Sequence, residues 1–422
     1  MNDFNRRQFL QTSGLGAIAL GAGLVPMRGL AASGSDLNFV FIFNGGGYDP
    51  TRVFANCFEQ RGVDMEVDSG LTTVGGLSFV DHDDRPSVRL FFDRYHERSL
   101  ILNGMLVPSV AHGSCRRLMM TGTTNDGASD WGAIVAGQSS DVALPQLVLG
   151  GPSYPGQFGT AVTRAGTSGQ LDALLNGSVI DWSDQNTKAP APRAEDRMDT
   201  YMLRRAAAAI EGADLADAKR LYESYSSALV RAVDLKDLQG IIDWDASSDL
   251  TSQGNLVAKL LRLGICRCVM LNHSGRGWDT HTSNDGTQSQ SWESLFSGLL
   301  DMTDRLDALP GRTTASLLDE TVIVVLSEMG RTPQLNDKDG KDHWAYTSAM
   351  VVARGVTGSR VVGATDEFYY GKQIDPLTGE LFDGAGAIDL TSSSFGATLL
   401  NLAGVDHEPY LAGTSSIPGL LV

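Results

Sequence analysis

Thr321-Val-Ile-Val-Val-Leu-Ser-Glu-Met-Gly-Arg-Thr-Pro333 is the stretch on which the fold turns. A β-branched and apolar run gives way to a carboxylate on a Gly-containing turn. A continuous run of this kind reads as a strand buried on both faces, the strand type of a largely parallel sheet. Open sheets of that class hold reactive groups in the crevice at the carboxyl ends of their strands, and Glu328 stands at such an end. Asp342-His343-Trp344 follows across one loop. An acid beside an imidazole makes a good pair of ligands for a divalent metal. A second such place lies upstream, where Cys266-Arg-Cys-Val-Met-Leu271 leads into Gly277-Trp-Asp-Thr-His281. Two strand ends, each followed by acid and imidazole, predict a metal-centred site.

The rest of the chain supplies a frame for that strand. Leu37-Asn-Phe-Val-Phe-Ile-Phe43 is another buried run, ending in Asn44-Gly-Gly-Gly-Tyr-Asp49, whose glycines allow close backbone approach. Further strands are expected at 100–104 and 144–150, the latter peripheral. Helices are expected at 87–95, up to Thr121 with a stop at Gly122, at 255–263, at 292–309 and at 390–403. Residues 351–366 read as mixed strand and loop. From 191 to 250 the chain turns Ala-, Leu- and charge-rich with helical spacing, a helical insertion or cap. Helix–strand alternation with apolar strands predicts an α/β fold with both faces of the sheet covered. There is no internal repeat and no low-complexity linker, so one domain spanning 33–422 is expected.

The N-terminus reads as an export signal. Asn5-Arg-Arg-Gln-Phe-Leu10 is a twin-arginine pattern, followed by a Gly/Ala-rich apolar stretch and the small residues Ala31 and Ala32. This assigns 1–32 to a signal peptide and leaves about 390 residues for a periplasmic or secreted protein. No apolar run is long enough to span a membrane. The formal net charge is −17, which argues against nucleic acid or an anionic membrane as main partner. An anionic substrate must then be met by a local metal or Arg. Cys266 and Cys268 read as buried thiols. A Cys57–Cys115 bridge is open in an oxidising compartment.

With these motifs in order, the chain resembles the exported DUF1501 family, a branch of the alkaline phosphatase and sulfatase superfamily. The resemblance rests on Gly277–His281, Ser327–Pro333 and Asp342–Trp344 together, with Val362-Gly-Ala-Thr-Asp-Glu367 behind them. It implies an alkaline-phosphatase-like three-layer sandwich with a mostly parallel central sheet. It also implies metal ligands at strand ends and a nucleophile at a helix N-terminus. In that pattern the first-strand metal Asp is replaced by Asn44, with Asp49 five residues on. His112 falls at the nucleophile position, with Ser109, Ser114 and Cys115 at the wrong offset, and Arg116 fits the Arg position. Glu328-Met329-Gly330 keeps the carboxylate of an Asp-His-Gly strand end and loses its imidazole.

The expected metal ligands are therefore Asp279, His281, Glu328, Asp342, His343, Asp49 and Asn44, around a divalent ion such as Zn, Mn, Mg or Ca. His112, Arg116 and Arg331 are the expected catalytic residues. His112 would serve as base, ligand or nucleophile, and the two arginines would hold anionic oxygens. The plain alternatives are a helix cap for Asp279 and an ion pair with Arg331 for Glu328. The implied activity is metal-dependent hydrolysis of phosphate or sulfate esters, on a small anionic ester or an envelope polymer. The alternative is a degenerate fold serving as a cell-envelope binding or assembly protein, favoured by the missing Ser/Thr nucleophile and by Met329.

Overall fold

In the computed structural model the described residues are 36–422, without 55, 56, 59, 140, 141, 167–191, 237–247 and 276. The expected signal at 1–32 lies outside them. The strands in chain order are β1 (Asn38–Phe43), β2 (Gly70–Val74), β3 (Leu77–Asp81), β4 (Ser99–Leu106), β5 (Leu144–Val148), β6 (Val162–Arg164), β7 (Cys266–Asn272), β8 (Thr321–Leu326), β9 (Gly330–Arg331), β10 (His343–Trp344), β11 (Tyr346–Val352) and β12 (Arg360–Val362). The helices are α1 (Pro86–Tyr95), α2 (His112–Thr121), α3 (Trp131–Gly137), α4 (Pro192–Glu211), α5 (Ala216–Lys236), α6 (Leu250–Arg262), α7 (Asn284–Ala308) and α8 (Ser392–Leu402).

Eight strands form the main sheet in the order β12-β4-β11-β8-β1-β7-β5-β6. The pairs β8/β1, β1/β7, β7/β5, β5/β6 and β4/β12 are parallel, and only β11 runs against its neighbours. The apolar runs form strands here because both faces of the sheet are covered. Val40, Ile42, Val269, Ile323 and Val325 point into one core. That core is closed by Val88 and Phe91 of α1, Leu260 of α6, and Trp292, Phe296 and Leu299 of α7. Their strand neighbours Phe39, Phe41, Met270, Val322 and Val324 point into the other. Leu118 of α2, Trp131 and Val135 of α3, and Phe395 and Leu399 of α8 close that side. Each of these side chains contributes about 1.5–3 kcal/mol on leaving water. The result is the expected three-layer α/β sandwich with a mostly parallel central sheet.

Two local readings shift and a third is kept. Strand β11 lies in the middle of the sheet, where the sequence reading began its mixed strand only at 351. Thr347 and Ser348 interrupt its apolar pattern, yet both are buried, and Ser348 Oγ donates to Asn103 Oδ1 at 2.6 Å. Helix α7 starts at Asn284 rather than 292, because its first two turns are polar residues that bond to loops instead of filling the core. The Nε2 amide of Gln288, for example, donates to the Trp278 carbonyl at 3.0 Å. Helices α4 and α5 fall in the expected helical section and pack on each other. Arg231 of α5 ties the pair to the body through the Thr160 carbonyl at 2.8 Å.

All four cysteines are buried and free, so Cys57 and Cys115 are not bridged. Among the described residues no helix is long and apolar enough to cross a membrane.

Candidate metal centre

Because β4, β1, β7 and β8 run in one direction, the loops that leave them all emerge at one edge of the sheet. The chain re-enters the sheet at that same edge through β11, just after β10 has paired with β9 in a small ribbon of its own. This places residues around 44–49, 112, 273–281, 327–331 and 341–343 together.

Glu328 follows β8 and is fully buried. The Gly46 N–H donates to both of its oxygens, at 2.8 and 3.0 Å. Gly46 sits at φ +128°, and a Cβ there would lie 2.9 Å from the Asp279 nitrogen, so only glycine brings this N–H so close. Helix α2 adds two donors from successive turns. His112 Nδ1 lies 3.0 Å and Arg116 Nε 3.3 Å from Glu328 Oε1. The buried carboxylate is thus paired with Arg116, not with Arg331 as the plain reading of the sequence had it.

Arg331 is also fully buried and acts as a staple. Its Nε donates to the Gly47 carbonyl at 2.8 Å and Nη1 to the Lys341 carbonyl at 3.1 Å. Its Nη2 donates to the Gly46 carbonyl and, at 2.5 Å, to Asp279 Oδ1. Every guanidinium nitrogen already donates inside the protein, which leaves no fork for a substrate anion. Partial burial raises the Asp279 carboxyl, but the bond and charge of Arg331, with His343 and His112, outweigh it and bring it to about 2. Asp279 is therefore an anion throughout the physiological range.

Three imidazoles surround that anion. His112 Nε2 lies 3.4 Å from Asp279 Oδ2, and His343 Nε2 and His281 Nε2 lie 3.2 and 3.1 Å from Oδ1. Each ring has an acceptor behind its other nitrogen. His112 Nδ1 faces Glu328, His281 Nδ1 faces Asp342 Oδ1 at 2.8 Å, and His343 Nδ1 faces the Val110 carbonyl at 2.7 Å. Each ring therefore stands between two acceptors, and a neutral ring that keeps its proton on Nδ1 leaves its Nε2 lone pair turned into the cluster. His281 Nε2 and His343 Nε2 are only 3.1 Å apart. Two facing lone pairs at that distance call for a proton or a cation between them. His112, Asp279 and His343 offer ligand atoms that all lie within 4.8 Å of one another. The donor set fits a divalent ion, and imidazole nitrogens favour a zinc-type ion over Ca or Mg.

The other expected ligands stand elsewhere. Asp342 lies behind His281, and Glu328 behind His112. Asn44 is fully buried; its amide donates to the Leu326 carbonyl at 3.1 Å and its Oδ1 lies 3.1 Å from His273 Nδ1. Asp49 is the cap of a short turn at Pro50–Arg52. Its Oδ2 lies 2.9 Å from Lys341 Nζ, and both side chains are fully buried. Burial would raise the Asp49 carboxyl, but Lys341 and Arg52 hold it well below the ordinary range. Cys115 is buried, and burial pushes its thiol up, so it is no ready nucleophile. Sequence reasoning missed Lys341, the Gly46 N–H and the Val110 carbonyl. A lysine in a polar loop carries no sign of burial, and backbone groups carry no sequence signal.

The family model "Protein of unknown function (DUF1501)" matches residues 98–416. None of the curated proteins matches the chain. Among solved structures, the chain is similar to a protein in the alkaline phosphatase superfamily from Vibrio parahaemolyticus, at 10% identity and a TM-score of 0.39, covering 97% of this chain and 78% of that one. It is similar to the PsFucS1 sulfatase from Pseudoalteromonas sp., at 10% identity and a TM-score of 0.39, covering 92% and 72%. It is also similar to Ps i-CgsB, solved with a neocarrahexaose, at 9% identity and a TM-score of 0.41, covering 90% and 75%. Overlap at this depth lends no residue role to the present chain. With the family model running from residue 98 to 416 of 422, the chain belongs to the DUF1501 family.

Proposed function

We propose that this protein is a divalent-metal-dependent hydrolase of phosphate or sulfate esters, exported by the twin-arginine route to the periplasm or beyond. One observation carries the reading: three imidazoles, each with an acceptor behind Nδ1, present Nε2 to the single carboxylate of Asp279. His112, Asp279 and His343 would hold the ion, and three protein ligands leave the open positions that catalytic sites need. A bound divalent ion supplies Lewis acidity toward an ester oxygen. His281, backed by Asp342 and with nearly half of its side chain exposed, is the group placed to accept or return a proton at Nε2. Arg116 uses Nε on Glu328 and keeps 44% of its side chain exposed, so its remaining N–H groups can grip anionic oxygens. Arg331 holds loops instead.

A second reading has its own observation. No hydroxyl or accessible thiol stands at the first position of α2, which His112 occupies. On that reading the ion is structural and the protein binds or assembles at the cell envelope.

The test loads the purified protein with Zn, Mn, Mg or Ca and offers aryl and sugar phosphates and sulfates, beside a His343→Gln variant. Metal-dependent turnover that is lost in the variant is expected. Stoichiometric metal with no turnover on any ester favours the second reading. A folded protein that takes up no metal overturns the centre.

A further inference from the structure

We infer that the buried Lys341–Asp49 pair is a positioning device for this centre, so that Asp49 acts on it through Lys341 and not by touching an ion. The inference rests on reading the His/Asp cluster as a metal centre. Lys341 immediately precedes Asp342 and His343, and its own groups reach each of the other loops. Its N–H donates to the Thr280 carbonyl at 2.9 Å, and Thr280 lies between Asp279 and His281. Its carbonyl accepts from Arg331, the staple that also holds Gly46, Gly47 and Asp279. Its ammonium reaches the loop after β1, 2.9 Å from Asp49 Oδ2 and 3.1 Å from Thr51 Oγ1. Asp49 is held in turn by helix α7. Asn284 Nδ2 donates to Oδ2 at 3.0 Å, and the Asp49 N–H donates to Gln288 Oε1 at 3.0 Å.

One residue therefore joins the loops after β1, β7 and β8 just before the chain delivers His343. A buried ion pair is a poor source of net stability, since an apolar pair of similar volume often does as well. What it supplies is direction: with Arg52 and Asn284 also crowding Asp49, the ammonium has one place to sit. Displacing it shifts the backbone that carries Asp342 and His343.

The experiment compares the protein with Lys341→Met, the milder Asp49→Asn, and the double variant. Zn(II) affinity is read by chelator competition and fold by thermal unfolding. Each single variant is expected to lose about 10–100-fold in zinc affinity, the range for groups that orient ligands. The double variant leaves neither partner of the pair charged, so its melting temperature should recover while its zinc affinity stays low. Recovery of both together, or wild-type zinc affinity in a folded single variant, overturns the inference. Imidazole 15N spectra of the metal-free protein separate this from failure of the metal reading. Loss of the fixed Nδ1–H signals of His281 and His343 in Lys341→Met is expected even if the parent takes up no zinc. Unchanged signals would refute the device on their own.

Discussion

Glu328→Gln is the sharpest probe of the centre, because it changes one atom's chemistry and almost no volume. The carboxylate receives Gly46 N–H on both oxygens, His112 on one and Arg116 on the same one. An amide retains one acceptor oxygen and sets an N–H₂ donor against one of these donors. Hydrogen bonds to a charged group are worth about 1.5–3 kcal/mol each. His112 and Arg116 are both partly exposed and recover water when released, so the net cost should be about 2–4 kcal/mol of stability. The effect on a bound ion would be separate. The Nδ1–H of His112 loses its charged acceptor, which makes Nε2 a weaker and less fixed donor. An orienting partner of this kind is worth about 10–100-fold in metal affinity, or about 1.4–2.7 kcal/mol. Chelator competition with Zn(II), beside calorimetric unfolding of the metal-free protein, reads both quantities. Zinc affinity unchanged within about twofold, with only the melting temperature lowered, would show that Glu328 supports the fold and does not orient a ligand.

Two further outcomes follow from the same edge of the sheet. His273 is buried against Asn44 and Ser294, and burial lowers its imidazole from 6.5 to about 4. The folded state then refuses a proton that the unfolded chain accepts, so stability should fall as pH drops from 6.5 toward 4, by roughly 3 kcal/mol in all, and then level off. His273→Asn should flatten that slope in urea titrations across the window; an unchanged slope would assign the acid sensitivity elsewhere. At Gly340 a Cβ would lie 2.0 Å from the backbone carbon and oxygen of His281. Gly340→Ala should therefore displace His281 and reduce ester turnover far more than it lowers the melting temperature, as assayed on the metal-loaded protein.

The frame was legible wherever burial on both faces forced a plain apolar run. The strands at Asn38–Phe43, Cys266–Asn272 and Thr321–Leu326 could be read directly, and with them the edge where the site lies. Strand Tyr346–Val352 was not, because Thr347 and Ser348 put two buried hydroxyls into its run and so look like loop. The residue types of the centre were legible too, since an acid beside an imidazole after a buried strand has few other uses. Their division of labour was not. Whether Glu328 faces an ion or stands behind His112 depends on a glycine N–H and a helix arriving from 216 residues away. Asp49 looked like a ligand because the lysine that neutralises it sits 292 positions later in the chain.

The three groups that would hold the ion come from three distant stretches: His112 before β5, Asp279 after β7 and His343 after β8. No contiguous segment shorter than residues 112–343 contains them all, and they meet only when β1 has parallel partners on both sides. Metal uptake would therefore record that the centre of the sheet is complete. A nascent chain, a nicked chain or a misregistered one presents isolated histidines of ordinary weak affinity. Tight retention of the ion would mark finished molecules.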